Sequence, residues 1–288
     1  MLQDPDQERV RRAYNETVSK RAVEAERRLR WTVPRRQAFT NARLGEFLDF
    51  VRARSAWHRR RLRGIDLSGP TASDMSALPI MTKRDLHENW DEIVTDPELT
   101  LGLANRHLGS LSRDGFSFAM GRCVILATGG TTGVRSVLAL DEEAIAAKAS
   151  ATVAHSTTSR PPDLALPAVP VEARLMALNP LHGSGASSAI RQGAAGDFVT
   201  VPPSTPMTEL VAVLDDAQPD TMMGYGSMLH LVAVEALAGR LHIAPKIATN
   251  AGEPLLPETR ALIADAFGIE ARNFYVSSES YFGESWRG

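Results

Sequence analysis

Three threonines and three glycines fill residues 128–133, read as TGGTTG inside the longer string ATGGTTGVRS. Glycine reaches positive φ and lets a backbone approach a ligand closely. Successive amide N–H groups in such a loop form an anion-binding concavity, and threonine hydroxyls add donors. The chemistry this favours is the cradling of phosphate. Apolar runs at residues 123–126 and 137–140 flank the string and predict a strand–loop–strand setting. Two other readings stand beside it. One is a polar hairpin turn that binds nothing. The other is a G-x-x-x-x-G-K-[ST] loop. Counted from Gly129, that pattern finds Val134 where glycine is needed and Arg135 where lysine is needed. Only Ser136 fits, and a strand rather than a helix is predicted to follow.

Three further strings fall at predicted strand ends. NPLHGSG, residues 179–185, carries His182, which either lines a cleft or is a surface-loop histidine. NAGEPL, residues 250–255, is a Gly-Glu-Pro turn of a common kind. YVSSES, residues 275–280, carries Glu279. A lone carboxylate is a sensible ligand for a hard cation, because Mg²⁺ typically takes one or two protein carboxylates plus nucleotide phosphates. The single cysteine, Cys123, excludes an internal disulfide and a cysteine-cluster metal site, and reads as a buried strand residue.

The elements that must position these strings follow from periodicity. A charged helix is expected over residues 6–30, ended by Pro34, and a second over 41–62 with Leu44, Phe47, Leu48, Val51, His58 and Leu62 on one side. His58 reads as structural. Arginines in the last turn and Gly64 suit its C-terminus. Thr82 and Asp85 have capping-box spacing and open a helix with Leu86, Trp90 and Ile93 as its stripe, within residues 78–94. Asp141 caps a helix over 142–156. Strands are then expected at 175–178, 198–201, 221–223, 246–249 and 273–276. Helices are expected between them at 187–192, 206–217, 227–238 and 257–267. Pro206 and Pro257 occupy first-turn positions and Gly268 a C-cap. Residues 159–173 read as a proline-rich loop. Alternating strands and helices argue for a parallel α/β sheet, whose ligands gather at the carboxyl ends of the strands.

At 288 residues, 43% hydrophobic and 23% charged, the composition is that of a globular protein of one large or two smaller domains. No apolar run approaches the ~20 residues of a membrane span, and the N-terminus has no signal-peptide core. The cytoplasm is the expected location. Residues 1–63 carry 17 Lys and Arg against 8 Asp and Glu, and the rest carries 15 against 26. Acids interleave with the arginines, so a solvated helical face docking on acidic surface is expected, and no nucleic acid or membrane partner.

Residues 128–133 match the [ST]-[SG]-G-T-T-G signature position by position and resemble the phosphate-binding loop of the AMP-forming adenylating enzymes, the acyl-CoA ligase superfamily. Two other strings resemble its phenylacetate–CoA ligase branch. They are FVRARSAWHRRRLRGID, with His58 where an aromatic is usual, and LPIMTKRDLHENWDEIV, similar to LP-x-x-TK-x-DL. The resemblance covers about residues 40–285. It implies an α/β fold with parallel sheets flanked by helices in αβαβα layers, preceded by N-terminal helices. A helical segment over 1–70 and a core over 71–288 are the expected domains. The implied reaction is acid plus ATP to acyl-AMP and pyrophosphate, then transfer to coenzyme A. Thr128, Gly129, Gly130, Thr131, Thr132 and Gly133 are implied to hold phosphates, with Thr131 and Thr132 acting in catalysis. Gly252, Glu253 and Pro254 match the turn that lies against adenine. Tyr275, Ser278 and Glu279 match the Y-G-x-[TS]-E motif: a ring beside adenine, a hydroxyl on phosphate, and a catalytic carboxylate holding Mg²⁺. His182, Gly183, Tyr225, Asn250, Ala251 and Val276 are implied to border the carboxylic acid, with Val276 replacing the usual glycine.

The resembled enzymes continue past this motif to a ribose-binding aspartate and a mobile C-terminal domain with a catalytic lysine. Lys83 and Lys246 lie in the wrong strings for that role. The string YFGESWRG reads as a loop with no closing element. The expectation is therefore a truncated core with little adenylation on its own. It is completed by a second chain, self-associated as a homo-oligomer, or reduced to a nucleotide- and acyl-binding relative.

Overall fold

The computed structural model describes residues 5–69, 71, 73–128, 135–158, 164–167, 170–177, 198–278 and 281–285. The chain divides into two compact units, Met1–Ser150 and Ala151–Gly288.

In the first unit, α1 (Pro5–Leu29) is tied down by Tyr14, whose hydroxyl donates to the Ile145 carbonyl at 3.4 Å. The Gln7 side chain accepts the Phe118 N–H at 2.8 Å, and Arg21 pairs with Glu143. Pro34 does not end this helix. It sits in the first turn of α2 (Val33–Arg54), where a missing N–H leaves no bond unmade. The second helix thus starts earlier than expected, and it also stops earlier. Ser55 is fully buried and extended. Its hydroxyl accepts the His58 N–H at 3.2 Å, capping α3 (Ala56–Arg61), and donates to the Glu92 carbonyl at 2.7 Å. Leu48, Val51 and Leu62 are buried, whereas Phe47, expected beside them, is exposed.

The capping box of Thr82 and Asp85 is present and opens α4 (Lys83–Glu88). Asn89 interrupts the expected single helix, and α5 (Trp90–Ile93) follows. Trp90 is 2% exposed and donates its indole N–H to the Val137 carbonyl at 2.9 Å. An unanticipated helix, α6 (Leu101–Asp114), is capped by Thr100, whose hydroxyl accepts the Leu103 N–H. It packs on the antiparallel pair β1 (Cys123–Ala127) and β2 (Val137–Asp141), registered from Cys123 opposite Asp141 to Ala127 opposite Val137. Cys123 is buried as expected, and burial pushes its thiol pKa up. Asp141 accepts the Ala144 N–H at 2.8 Å at the start of α7 (Glu142–Thr158).

The second unit alternates β3 (Glu172–Leu175), β4 (Phe198–Thr200), α8 (Met207–Ala217), β5 (Thr221–Gly224), α9 (Gly226–Leu237), β6 (Ile247–Ala251), α10 (Pro257–Phe267), β7 (Arg272–Val276) and β8 (Tyr281–Ser285). The sheet order is β4-β3-β5-β6-β7-β8, parallel except for the antiparallel edge strand β8. Three expectations are corrected. β3 begins three residues before the predicted strand, because Arg174 is buried with an ion pair to Glu172 at 2.6 Å and its guanidinium 4.2 Å from the Phe198 ring centroid. Pro206 is the N-cap of α8 rather than its first helical residue. β8 closes an edge where a loop was expected. The predicted helix over 187–192 lies outside the described residues.

Alternation gives the sheet two faces. Ala173, Leu175, Met222, Ala248 and Ala271 pack with Leu210 and Leu214 of α8, Leu229 and Val232 of α9, and Ile263 of α10 in one core. The neighbouring residues in each strand face the other way.

Candidate active site

Candidate site residues occur in both units. In the first, the strands β1 and β2 run into the glycine- and threonine-rich string, and the base of the loop is closed twice. The Thr128 N–H donates to the Ser136 carbonyl at 3.0 Å, and the Thr128 hydroxyl accepts the Ser136 N–H at 3.0 Å. The Thr128 side chain thus serves as a clamp. Ser136 is 2% exposed, and its hydroxyl has no partner among the described residues. Gly129, Gly130, Thr131, Thr132 and Gly133 lie outside the described residues.

In the second unit the carboxyl ends of β3, β5, β6 and β7 form a row on the face away from the helices. Met176, Ala251 and Phe274 are buried there, with Met223, Tyr225 and Val276 packed against them. Three residues expected to border the acid, Tyr225, Ala251 and Val276, are therefore brought into one apolar cluster. Met176, Met223 and Phe274 complete it. The signal for them was the strand alternation, once the strand bounds were right.

Asn250, at the end of β6, is fully buried on the opposite parity from Ala251. Its amide donates to the Glu253 carbonyl and to Asn273 Oδ1, both at 2.7 Å, while its own Oδ1 has no partner among the described residues. Asn273 was not anticipated; only its position beside Asn250 in the β6–β7 register reveals it. The Glu253 carboxylate accepts the Ser227 N–H at 2.9 Å, satisfying an orphan donor in the first turn of α9. Gly252 has φ +85°, and a Cβ there would lie 3.0 Å from the Tyr225 ring, so the ring and the turn meet only because that residue is glycine. At the end of β5, a Cβ on Gly224 would stand 2.6 Å from Leu175 Cβ. The turn of Gly252, Glu253 and Pro254 is in this way locked to Tyr225, α9 and β7.

Tyr275 is 67% exposed on the strand parity opposite Phe274 and Val276, and does not join the apolar row. Ser278 follows it, partly buried. His182, Gly183 and Glu279 lie outside the described residues. Among the described residues, no group of three or more His, Cys, Asp or Glu is placed to hold a metal ion, and no helix is long and apolar enough to cross a membrane.

No protein-family model matches the chain, and no curated protein sequence matches it. Solved structures do. An open conformation of 2-hydroxyisobutyryl-CoA ligase, in complex with 2-HIB-AMP and CoA, superposes with a TM-score of 0.58 at 16% identity over 85% of this chain and 50% of that one. The same ligase in its postadenylation state with 2-HIB-AMP gives 0.60 at 17% over 86% and 50%. Its thioesterification state with 2-HIB-AMP and CoA gives 0.57 at 15% over 86% and 50%. The chain spans about half the length of these ligases. Over that span it has the fold of the matched half of this ligase.

Proposed function

We propose that this chain carries the nucleotide- and acid-binding part of an ATP-dependent carboxylate–CoA ligase, nearest the phenylacetate–CoA ligase branch. The observation that carries the reading is the string at residues 128–133, placed between two strand ends that Thr128 and Ser136 clamp together, with the Ser136 hydroxyl buried at its base. In this reading a carboxylate oxygen of the acid attacks the α-phosphorus of ATP and pyrophosphate leaves. The sulfur of coenzyme A then attacks the acyl carbonyl, losing its proton, and AMP leaves. Such chemistry depends mostly on positioning and on neutralising charge at phosphorus. The loop amides and the hydroxyls of Thr131 and Thr132 serve that task, with Ser278 also on phosphate. Gly252, Glu253, Pro254 and Tyr275 flank adenine. Glu279 holds Mg²⁺, which neutralises phosphate charge when bound. The apolar row of Tyr225, Ala251 and Val276, with His182 and Gly183, borders the acid, while Asn250, on the other face of β6, holds the turn at Gly252, Glu253 and Pro254.

A second reading is a relative that binds nucleotide and acyl group without turnover. Val276 favours it, since its side chain occupies the apolar row where the resembled motif has glycine. Calorimetric titration with ATP and Mg²⁺, run beside Glu279→Gln, tests the shared part. Saturable binding weakened about tenfold by the substitution is expected. A folded chain that takes up no ATP overturns both readings. Carboxylate-dependent pyrophosphate exchange then separates them: exchange supports the ligase, and binding without exchange supports the second reading.

A further inference from the structure

Helix α2 buries one stripe and shows a second one to solvent. Residues 32–40 are exposed on every side, and of the whole helix only Leu48 and Val51 are buried. At about 100° per residue, Phe39, Phe47, Phe50, Arg36, Arg43 and Arg54 share about 80° of arc, apart from the buried stripe. All six are exposed, Phe47 at 57% and Phe50 at 49%. From Phe39 to Phe50 the helix rises about 16 Å, so this stripe is a line of phenyl rings with guanidinium groups between them.

The positive charge beside the rings is not cancelled within the described residues. Residues 27–63 hold 12 arginines and two acids. Those acids, Glu46 and Asp49, are each paired with an arginine of their own helix, Arg43 and Arg52. Arg35, Arg36 and Arg54 have no carboxylate partner among the described residues. Arg35 lies over the Trp31 ring, 4.0 Å from its centroid, and Arg36 reaches only the neutral Leu29 carbonyl at 3.5 Å. Acids that interleave with arginines in sequence are thus already paired, and the outward face of the helix is cationic. A small anion would neutralise the guanidinium groups and leave the rings in water. A nucleic-acid duplex offers phosphates but keeps its bases stacked out of reach. An anionic lipid surface offers phosphates with an apolar layer directly beneath. A helix lying in that plane sinks its rings, while its arginines reach the headgroups along their own apolar stems.

We propose that the outward face of α2 docks on an anionic membrane surface, with Phe39, Phe47 and Phe50 at the headgroup–acyl boundary and Arg35, Arg36 and Arg54 on lipid phosphates. Cosedimentation of the purified chain with vesicles of equal parts phosphatidylglycerol and phosphatidylcholine tests it. Binding is expected, weakening with added salt and absent on phosphatidylcholine alone. Arg35→Gln, Arg36→Gln and Arg54→Gln together weaken it about a hundredfold, about fivefold for each charge. Phe47→Gln with Phe50→Gln weakens it at least about tenfold, an effect that charge attraction alone does not produce. Both sets of substitutions lie on the surface, so the circular dichroism spectra stay unchanged. A chain that leaves these vesicles unbound at about 1 mM lipid, binds phosphatidylcholine equally, or is indifferent to the loss of Phe47 and Phe50 overturns the proposal. So does a thymidine oligonucleotide that the chain binds more tightly than the vesicles, its bases stacking on the same rings.

Discussion

The candidate site residues of the two units are held by different means. In the first unit the strands β1 and β2 are consecutive and antiparallel, and the loop between them is closed by bonds between residues eight apart, Thr128 and Ser136. Strand register alone delivers that geometry, so the loop base is a local product of its own hairpin. In the second unit four parallel strands converge from distant parts of the chain. Their ends are joined by side chains: Asn250 to Asn273 across 23 residues, and Glu253 to the Ser227 N–H across 26. Parallel strands have no hairpin turn to fix their ends, so buried polar groups do it. The lesson is that single side chains carry more of the positioning in the second unit than in the first.

The sharpest way to break this contrast is Asn250→Ala. It removes both amide donors and leaves the Glu253 carbonyl and Asn273 Oδ1 unpaired beside a fully buried position. A loss of about 3 kcal/mol is expected, since each buried polar group left unpaired costs on the order of 1–3 kcal/mol. Urea unfolding measures the total. Hydrogen exchange should rise at the end of β6 and the start of α9 while β1 and β2 keep their protection. A loss below about 1 kcal/mol would show that the network adds little.

The matching change in the first unit is Trp90→Phe. The indole N–H to the Val137 carbonyl is lost, at a point where α5 meets the hairpin, and the smaller phenyl ring leaves a small cavity in a buried place. About 2–3 kcal/mol is expected, from one buried carbonyl left without its donor together with the cavity. The loop base should stay closed, because Thr128 and Ser136 bond each other without Trp90. An exchange increase at Thr128 and Ser136 as large as the one at the start of β2 would mean that the hairpin is not self-supporting.

Much of this was legible in the sequence, and the gaps have physical reasons. The capping box at Thr82, the cap at Asp141, the hairpin strands and most of the parallel strands followed from periodicity and turn chemistry. α6 went unseen because Gly102 and Gly109 dilute a helical pattern, although Ala104, Leu108 and Leu111 are spaced for one buried face and Thr100 caps it. The break at Ser55 was hidden because its hydroxyl bonds the Glu92 carbonyl, a partner 37 residues away. β3 was shifted because the proline-rich loop was read on to residue 173, and only the pairing of Glu172 with Arg174 in three dimensions allows their charges in a strand. At the site, the turn at Gly252, Glu253 and Pro254 was legible as a string. That its glutamate caps α9 and its glycine admits Tyr225 depends on which strands lie side by side.

The smallest expected effect is a pH dependence that belongs to the first unit. His58 and His107 both have pKa values lowered from 6.5, first by burial; the Arg61 charge lowers His58 further, while the bond to the Ser117 carbonyl partly offsets the shift of His107. The folded chain therefore prefers both rings neutral. His107 in that state donates its Nε2–H to the Ser117 carbonyl at 3.1 Å, and His58 packs edge-on to Trp57 with ring centroids 4.9 Å apart. When the pH falls below 6.5 the unfolded chain takes up protons that the folded chain resists, so stability is present above that value and is lost on acidification. The carboxylates with lowered pKa, such as Asp85 in its capping box and Asp96 beside Arg122, act in the same direction, but only on protonation below their ordinary value of 3.8. Thermal melting between about pH 7.5 and pH 5 isolates the histidines, because proton uptake by the carboxylates lies mostly outside it. The melting temperature should fall across this window, and His107→Gln, which keeps a donor for Ser117 without titrating, should remove part of the slope. A flat profile would place both rings in surroundings as wet as the unfolded chain, and the histidines would then add nothing to the difference between the two units.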